Sequence, residues 1–418
     1  ALAAFALTMK ASAKRKLFLK NPVEPNVCVL DPISFSADEL SYLVTTDGDR
    51  CAEEAFWNQF AEANLLGALI RPDANVTARI TDHVGTLDDG GNLLLIDVIS
   101  RAKRVAAQAA YLATPYSVLV ANPPYMGSGN MDARVAAFAQ RSYPRSKADL
   151  FAMFIERSFD LVHRLGYSAM VTMESWMFLR TYADLRGEIL ASKSIKDMVH
   201  MPYVGKGSTS MGINFGTAAT VIKNVPDCAA RASFQSIRYF ETDAQGVPTT
   251  FPVNNERGAA LVPSELTSIP GAPIAFWLSR ATREAFVGAT YVGTVATLRE
   301  GINTGNNDLF LRRWWEVATD QISFVRTRNR ERSERWVPHK KGGPFRKWAG
   351  NEEYILDWGS EGEAIHRYHD VPLSTNGAPM RGKAYFFQPS LAWSRISTSD
   401  FSLRSHGPGL AYDSTAPS

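Results

Sequence analysis

The stretch Ser117-Val118-Leu119-Val120-Ala121-Asn122-Pro123-Pro124-Tyr125 constrains this chain more than any other. Its apolar and small residues read as a buried strand of a parallel sheet, where continuous Val/Leu runs are the rule. Two consecutive prolines stop it, because neither has an N–H to give to a ladder. A residue that precedes proline is pushed out of the helical region, so Asn122 and Pro123 both stay extended. The product is a stiff corner at the carboxyl end of a strand, where open α/β sheets place their ligands. An amide, a proline carbonyl and an aromatic ring stand at its tip.

Such a tip suits a particular task. The exocyclic amine of a nucleobase is a poor nucleophile, since its lone pair is delocalised into the ring. The Asn122 side-chain oxygen and the Pro123 carbonyl can accept both of its N–H groups. That draws the nitrogen towards sp3 and aims the lone pair at an electrophile. Tyr125 can stack on a base taken out of the helix. The same four residues also make a good plain turn. The apolar strand before them and the run Met126-Gly127-Ser128-Gly129-Asn130-Met131 after them favour chemistry.

Asn-Pro-Pro-Tyr resembles the catalytic motif of the amino-methyltransferases that use S-adenosylmethionine. The ten-residue form from Asn122 to Met131 resembles the PglX family, adenine-specific DNA methyltransferases of BREX phage-defence systems. The resemblance implies methyl transfer from S-adenosylmethionine to adenine N6 in double-stranded DNA, a mark of self on host DNA. It implies a cytoplasmic protein with other BREX proteins as partners, and catalytic roles for Asn122, Pro123, Pro124 and Tyr125. In the family, the aromatic residue just before the closing strand covers the other face of the flipped base. Phe215 holds that position here; a core phenylalanine is the alternative. The family motif opening the helix after the corner sets Asp149 and Phe151 beside the cofactor. Asp149 reads equally as an N-terminal helix acid, and Phe154 as core.

The fold implied is α/β: a partial Rossmann-like methyltransferase sheet followed by an α+β target-recognition domain. With 418 residues two domains are expected. A Pro-containing linker near Asn224-Val225-Pro226-Asp227 divides them into a catalytic domain, residues 1–225, and a DNA-binding domain, residues 226–418. Helices are expected over residues 1–18, 51–64, 92–113, from 147 to Leu165 with Gly166 as its C-terminal stop, and over 180–191. Strands are expected at Val27–Leu30, Leu65–Ile70, Tyr167–Met173, residues 195–200 and Thr217–Ile222. In the resemblance, the first helix follows the acid that holds the cofactor ribose. That acid and its glycine-rich loop are expected upstream of Ala1, and the chain reads as a fragment, truncated at its other end too. Many related enzymes contact the cofactor adenine with an acid near residues 67–70; Gly67-Ala68-Leu69-Ile70 has none, and Asp73 is a weak substitute.

The net charge of +3 is too small to argue for nucleic acid. Its distribution is more telling. Arg326, Arg328, Arg330, Arg332, Arg335, Lys340, Lys341, Arg346 and Lys347 face only Glu331 and Glu334 in that stretch, with Trp336, Phe345 and Trp348 interleaved. Charge runs are usually solvated faces; the aromatic interleaving points instead to phosphate-backbone contact. The DNA-binding candidates are Arg328, Arg330, Arg335, Lys340, Lys341, Arg346 and Lys347. Gly301 to Phe310 reads as a long polar loop.

Cys28, Cys51 and Cys228 lack metal spacing and suit a reducing compartment, so no structural metal is expected; no run approaches the ~18 apolar residues of a membrane span, so none is expected either. The Gly/Ser-rich residues 204–216 are not a P-loop, since Lys206 precedes glycine. The rivals are a bifunctional restriction-methylation enzyme, a methyltransferase acting on a protein glutamine amide, and a non-catalytic DNA-binding subunit. No lysine has an acid two residues before it, as a common nuclease centre requires.

Overall fold

The computed structural model describes residues 2–15, 17–88, 90–202, 215–227, 229–243, 247–253, 255–324, 334–396 and 400–417. The chain divides into two compact units, Ala1–Gly288 and Ala289–Ser418.

The first unit is mixed α/β. Helix α1 (Leu2–Lys14) buries none of its residues. Helices α2 (Ala37–Leu43), α3 (Arg50–Asn58), α4 (Ala63–Leu66), α5 (Ala74–Thr86) and α6 (Leu93–Ala113) follow. Side-chain oxygens of Ser36, Asp49, Asp73 and Asn92 take otherwise unpaired N–H groups at the starts of α2, α3, α5 and α6. The helices close on a shared core that includes Trp57, Phe60, Ile80 and Val105. Neither early strand expected from sequence forms. Residues 27–30 have no regular structure, and residues 65–70 are the end of α4 and a 3-10 turn over Gly67–Leu69. A short apolar run suits either a strand or a helix; here Leu66, Leu69 and Ile70 are buried in helical surroundings.

Strand β1 (Tyr116–Ala121) leads to α7 (Ala133–Ser142) and α8 (Leu150–Leu161). Then come β2 (Val162–Met173), α9 (Ala183–Ser192), β3 (Ser194–Met201), β4 (Thr217–Lys223), β5 (Ala232–Ser236) and β6 (Ala259–Leu261). The strands form a six-stranded sheet in the order β1-β2-β4-β3-β5-β6. β1 runs parallel to β2, and β3 to β5, while β4 runs antiparallel to both its neighbours. Pairings Ala121↔Met170, Met173↔Thr217 and Met201↔Thr217 therefore bring the ends of β1, β2 and β3 and the start of β4 to one rim. The sheet packs on α8 and α9 through Phe151, Trp176, Ile189 and Phe234.

Three features differ from the sequence reading. The helix before β2 stops at Leu161 and not at Gly166; the chain passes straight into the strand. Leu165 takes φ 78°, and Gly166 lies so close to β1 that a Cβ would sit 3.0 Å from the Ser117 carbonyl oxygen. The β1–β2 register shifts there, so glycine accommodates a bulge and not a helix stop. Secondly, β1 is buried on one face only. Leu119 and Ala121 pack on the core, while Val118 is 58% and Val120 79% exposed. Thirdly, residues 226–288 are built into the first unit: β5 extends the sheet beside β3. The Arg186 guanidinium also donates to the Gly271 carbonyl at 2.7 Å and the Trp176 carbonyl at 2.8 Å.

The second unit holds a four-stranded sheet in the order β12-β8-β9-β7 and a β10–β11 pair. Its strands are β7 (Leu311–Arg313), β8 (Trp336–Lys340), β9 (Tyr354–Asp357), β10 (Ser390–Ala392), β11 (Arg404–His406) and β12 (Ala411–Tyr412). Ile302, Trp358, Phe386 and Tyr412 lie in its core. The stretch from Gly301 is not simply a polar loop: Ile302 is fully buried, and Asn306 caps a short helix, Asn307–Phe310. Among the described residues no helix is long and apolar enough to cross a membrane, and no group of three His, Cys, Asp or Glu could hold a metal ion.

Candidate active site

At the end of β1 the prolines do what their chemistry dictates. Pro123 is buried as the pivot, and Asn122 and Pro124 are exposed on either side. Among the described residues nothing donates to the Pro123 carbonyl, so both its lone pairs remain. The Tyr125 hydroxyl lies 3.1 Å from Asn122 Oδ1 and 3.1 Å from the Val171 carbonyl of β2. One proton serves one acceptor at a time, so Asn122 Oδ1 keeps at least one lone pair free. Burial raises the Tyr125 pKa; the phenol stays a neutral donor that orients the amide.

Phe215, two residues before β4, meets Tyr125 edge to face, with ring centroids 5.4 Å apart and planes at 88°. The structure thus brings together the two rings expected to cover a base. As they stand they close on each other. A base held between two parallel rings needs roughly 7 Å, twice a van der Waals separation. One ring must swing aside for a base to enter.

Asp149 and Phe151, expected beside a cofactor, serve the scaffold. Asp149 is the N-cap of α8, and its Oδ1 accepts from Phe151 N–H at 3.3 Å and Met126 N–H at 3.0 Å. Leu150 N–H donates to the Met126 carbonyl at 3.1 Å and Ser128 N–H to the Ala148 carbonyl at 2.8 Å. The chain leaving the Asn122 corner is stitched to the start of α8. Burial raises the Asp149 pKa, against the pull of the backbone N–H groups from Met126 and Phe151. Phe151 is fully buried between Tyr125, at 6.2 Å, and Tyr182, at 5.9 Å.

The basic stretch is dispersed. Arg328 and Arg330 lie outside the described residues. Arg335 is engaged by Asp357, with Nη2 2.6 Å from Oδ2. Lys340 is a correction: it is 2% exposed and its ammonium donates to Ser390 Oγ, so it presents no charge to a phosphate. It projects from β8 into the unit, and burial pushes its pKa down to about 8. Lys341 is half-buried over the Tyr354 ring. Arg346 and Lys347 are exposed, beside Phe345 and Trp348; the Lys347 ammonium stands 5.4 Å from the Trp348 ring.

Two rim residues were given no role from sequence. Glu174 directly follows β2 and accepts from His200 Nε2 at 2.5 Å. His200 is 4% exposed on β3. Strand ends at the rim were the available signal, but the placing of β2 and β3 on either side of β4 was not.

Comparison with known proteins shows what the chain as a whole resembles. Residues 12–205 match the family described as Eco57I restriction-modification methylase. The chain is 33% identical over 358 residues to the adenine-specific methyltransferase BrxX of Escherichia coli O9:H4 (strain HS), covering 85% of this chain and 28% of BrxX. It is 30% identical over 429 residues to the adenine-specific methyltransferase PglX of Lacticaseibacillus casei (strain Zhang), covering 98% of this chain and 35% of PglX. It therefore spans about a third of these relatives. Among solved structures, the Type IIL restriction-modification enzyme MmeI in complex with DNA aligns over 82% of this chain and 46% of its own, at 12% identity and a TM-score of 0.43.

Proposed function

This chain is a homologue of the adenine-specific methyltransferases BrxX and PglX, and on that footing we propose that it forms the base-holding part of a DNA adenine N6-methyltransferase. The observation that carries the reading is the corner itself. Asn122 Oδ1, steadied by the Tyr125 hydroxyl, and the Pro123 carbonyl accept the two N–H groups of a flipped adenine amine. The amine nitrogen becomes pyramidal and its lone pair turns outward. Preorganised acceptors of this kind act without reorganising during the reaction. Tyr125 and Phe215 take the base between their rings once one has swung aside, and exclude water from it. The proton lost from the product amine goes to solvent.

S-adenosylmethionine, the methyl source this relationship implies, supplies an electrophilic methyl group when bound. As they stand, Asp149 holds two backbone N–H groups through Oδ1 and Phe151 is fully buried, so neither presents an open surface to it. Calorimetric titration of residues 1–418 with S-adenosylmethionine is expected to give no one-to-one isotherm. A clear isotherm would mean that this chain holds the cofactor with residues assigned here to the scaffold.

The substrate is double-stranded DNA, contacted partly through Arg346, Lys347 and the exposed Trp348. We assign catalysis to the first unit and target recognition to the second, within a BREX defence system that marks host DNA as self with its partner proteins. The likeness of Asn122–Met131 to the PglX family supports that setting, and free thiols at Cys28 and Cys51 suit the cytoplasm. The match to restriction-modification methylases favours a second reading, a bifunctional restriction-methylation enzyme. The test is to sequence modified bases in a host with and without the intact gene. Adenine methylation at one motif, lost with the gene, is the expected result. Unchanged methylation sinks the proposal, and cleavage of unmodified DNA by the purified protein favours the second reading.

A further inference from the structure

His200 and Glu174 touch neither the corner nor the ring pair, yet they stand on the same rim. His200 is locked in place. Its ring stacks on Trp277 at 6.0 Å and 21°, and Phe178 and Phe276 close on it at 5.8 and 6.2 Å. A carboxylate can only accept, so the 2.5 Å contact makes His200 Nε2 the donor and Glu174 Oε2 the acceptor. Glu174 is thereby held from one side.

On its other side stands Gly216. The Glu174 backbone N–H donates to the Gly216 carbonyl at 2.9 Å. The Glu174 carboxyl group occupies the space a side chain on Gly216 would need: a Cβ there would overlap its Cδ and both oxygens. Gly216 immediately follows Phe215, and the Phe215 ring meets Tyr125. One line of contacts thus runs from Trp277 through His200, Glu174 and Gly216 to the ring that faces Tyr125. The pairings His200↔Ala218 and Met173↔Thr217 anchor it to the sheet at both ends.

We propose that Glu174, held by His200, is a positioning residue for base capture: it fixes Gly216 and so sets where the Phe215 ring stands relative to Tyr125. The inference rests on the methyltransferase reading. Neither residue contacts the reacting atoms. The effect is one of geometry, and displacement of a wall by about an ångström is enough to slow a reaction that depends on orientation.

The test uses the full-length protein and two readouts: methylation kinetics, and emission from 2-aminopurine replacing the target adenine, which brightens on leaving the stack. Glu174→Ala should lower kcat roughly tenfold or more and reduce the 2-aminopurine signal, with DNA affinity and melting temperature near wild type. Glu174→Gln keeps both the shape and an acceptor for His200, and should rescue both readouts. Gly216→Ala should be impaired like Glu174→Ala. The double variant Gly216→Ala/Glu174→Ala should outperform Gly216→Ala, because the added methyl enters the vacated space; such non-additivity marks direct contact. Wild-type kcat and emission in Glu174→Ala, or single effects that simply add, would overturn the proposal. A wild-type protein that methylates no adenine removes the underlying reading, and this inference with it.

Discussion

From Asn122 to Tyr125, neighbours in sequence stay neighbours in space and point at one task; from Arg335 to Trp348 they part. Arg335 turns to Asp357, Lys340 goes inside, Lys341 lies on Tyr354, and Arg346 and Lys347 remain in solvent. The physical difference lies in what each stretch imposes on its backbone. Two prolines fix dihedral angles at once, so the corner has its shape before any packing decides it. A run of cations fixes nothing. Strand β8 buries Trp336, Val337, His339 and Lys340 alike, and the fold takes Lys340 inside whatever its charge.

The sharpest way to break this contrast is at the corner. In the full-length protein, Asn122→Ala removes one amine acceptor and the partner of Tyr125. Methylation should fall by at least ~10²-fold, with DNA affinity nearly unchanged. An active variant would reduce the corner to a turn.

Next comes the surface pair. Replacing Arg346 and Lys347 by Ala should flatten the salt dependence of DNA binding by about two units of slope, since each phosphate contact contributes about 0.9. Lys340→Met should leave that slope untouched. If the Lys340 variant alters it as much as the surface pair does, the buried position of Lys340 does not persist on DNA.

The remaining prediction concerns stability and pH. Burial holds the Lys340 pKa at about 8 in the folded chain, against about 10.4 when unfolded. Between those values the unfolded state binds more protons, so stability rises with pH across that window, by up to about 3 kcal/mol. Below about 8 both states are protonated and this contribution is constant. Denaturant melts at pH 7.5 and 10 should therefore differ less for Lys340→Met than for wild type. Equal pH dependence would show that Lys340 is not desolvated in solution.

Much of the fold was legible where pattern and punctuation agree. The strand before the corner, α6, β3 and β4 carry long periodic or β-branched runs with clear stops, and α8 and β2 were legible except at their junction. The failures have specific causes. Leu65–Ile70 is too short to choose between helix and strand. Gly166 looks like a helix stop because a glycine that admits a close β1 backbone leaves the same local signal. Val118 and Val120 read as buried because hydrophobicity records what a residue prefers and not which face the sheet leaves uncovered. At the site, the meeting of Tyr125 and Phe215 was readable through a resemblance. The Glu174–His200 pair was not, since it joins β2 and β3, which are not adjacent even in the sheet. Asp149 and Phe151 were readable as belonging together, but capping and packing occupy them first.

One consequence follows from the strand that carries Asn122. Among the described residues β1 is hydrogen-bonded to β2 alone, so half of its backbone N–H groups have no strand to pair with. Those amides will exchange with heavy water far faster than their alternates facing β2. Whatever chain lies down along that side will quench the fast set first. It will also damp the thermal excursions of Asn122, one residue beyond the strand's end. Amide exchange along Val118–Ala121 thus doubles as a gauge of how tightly the Asn122 amide is held, readable without substrate, cofactor or turnover.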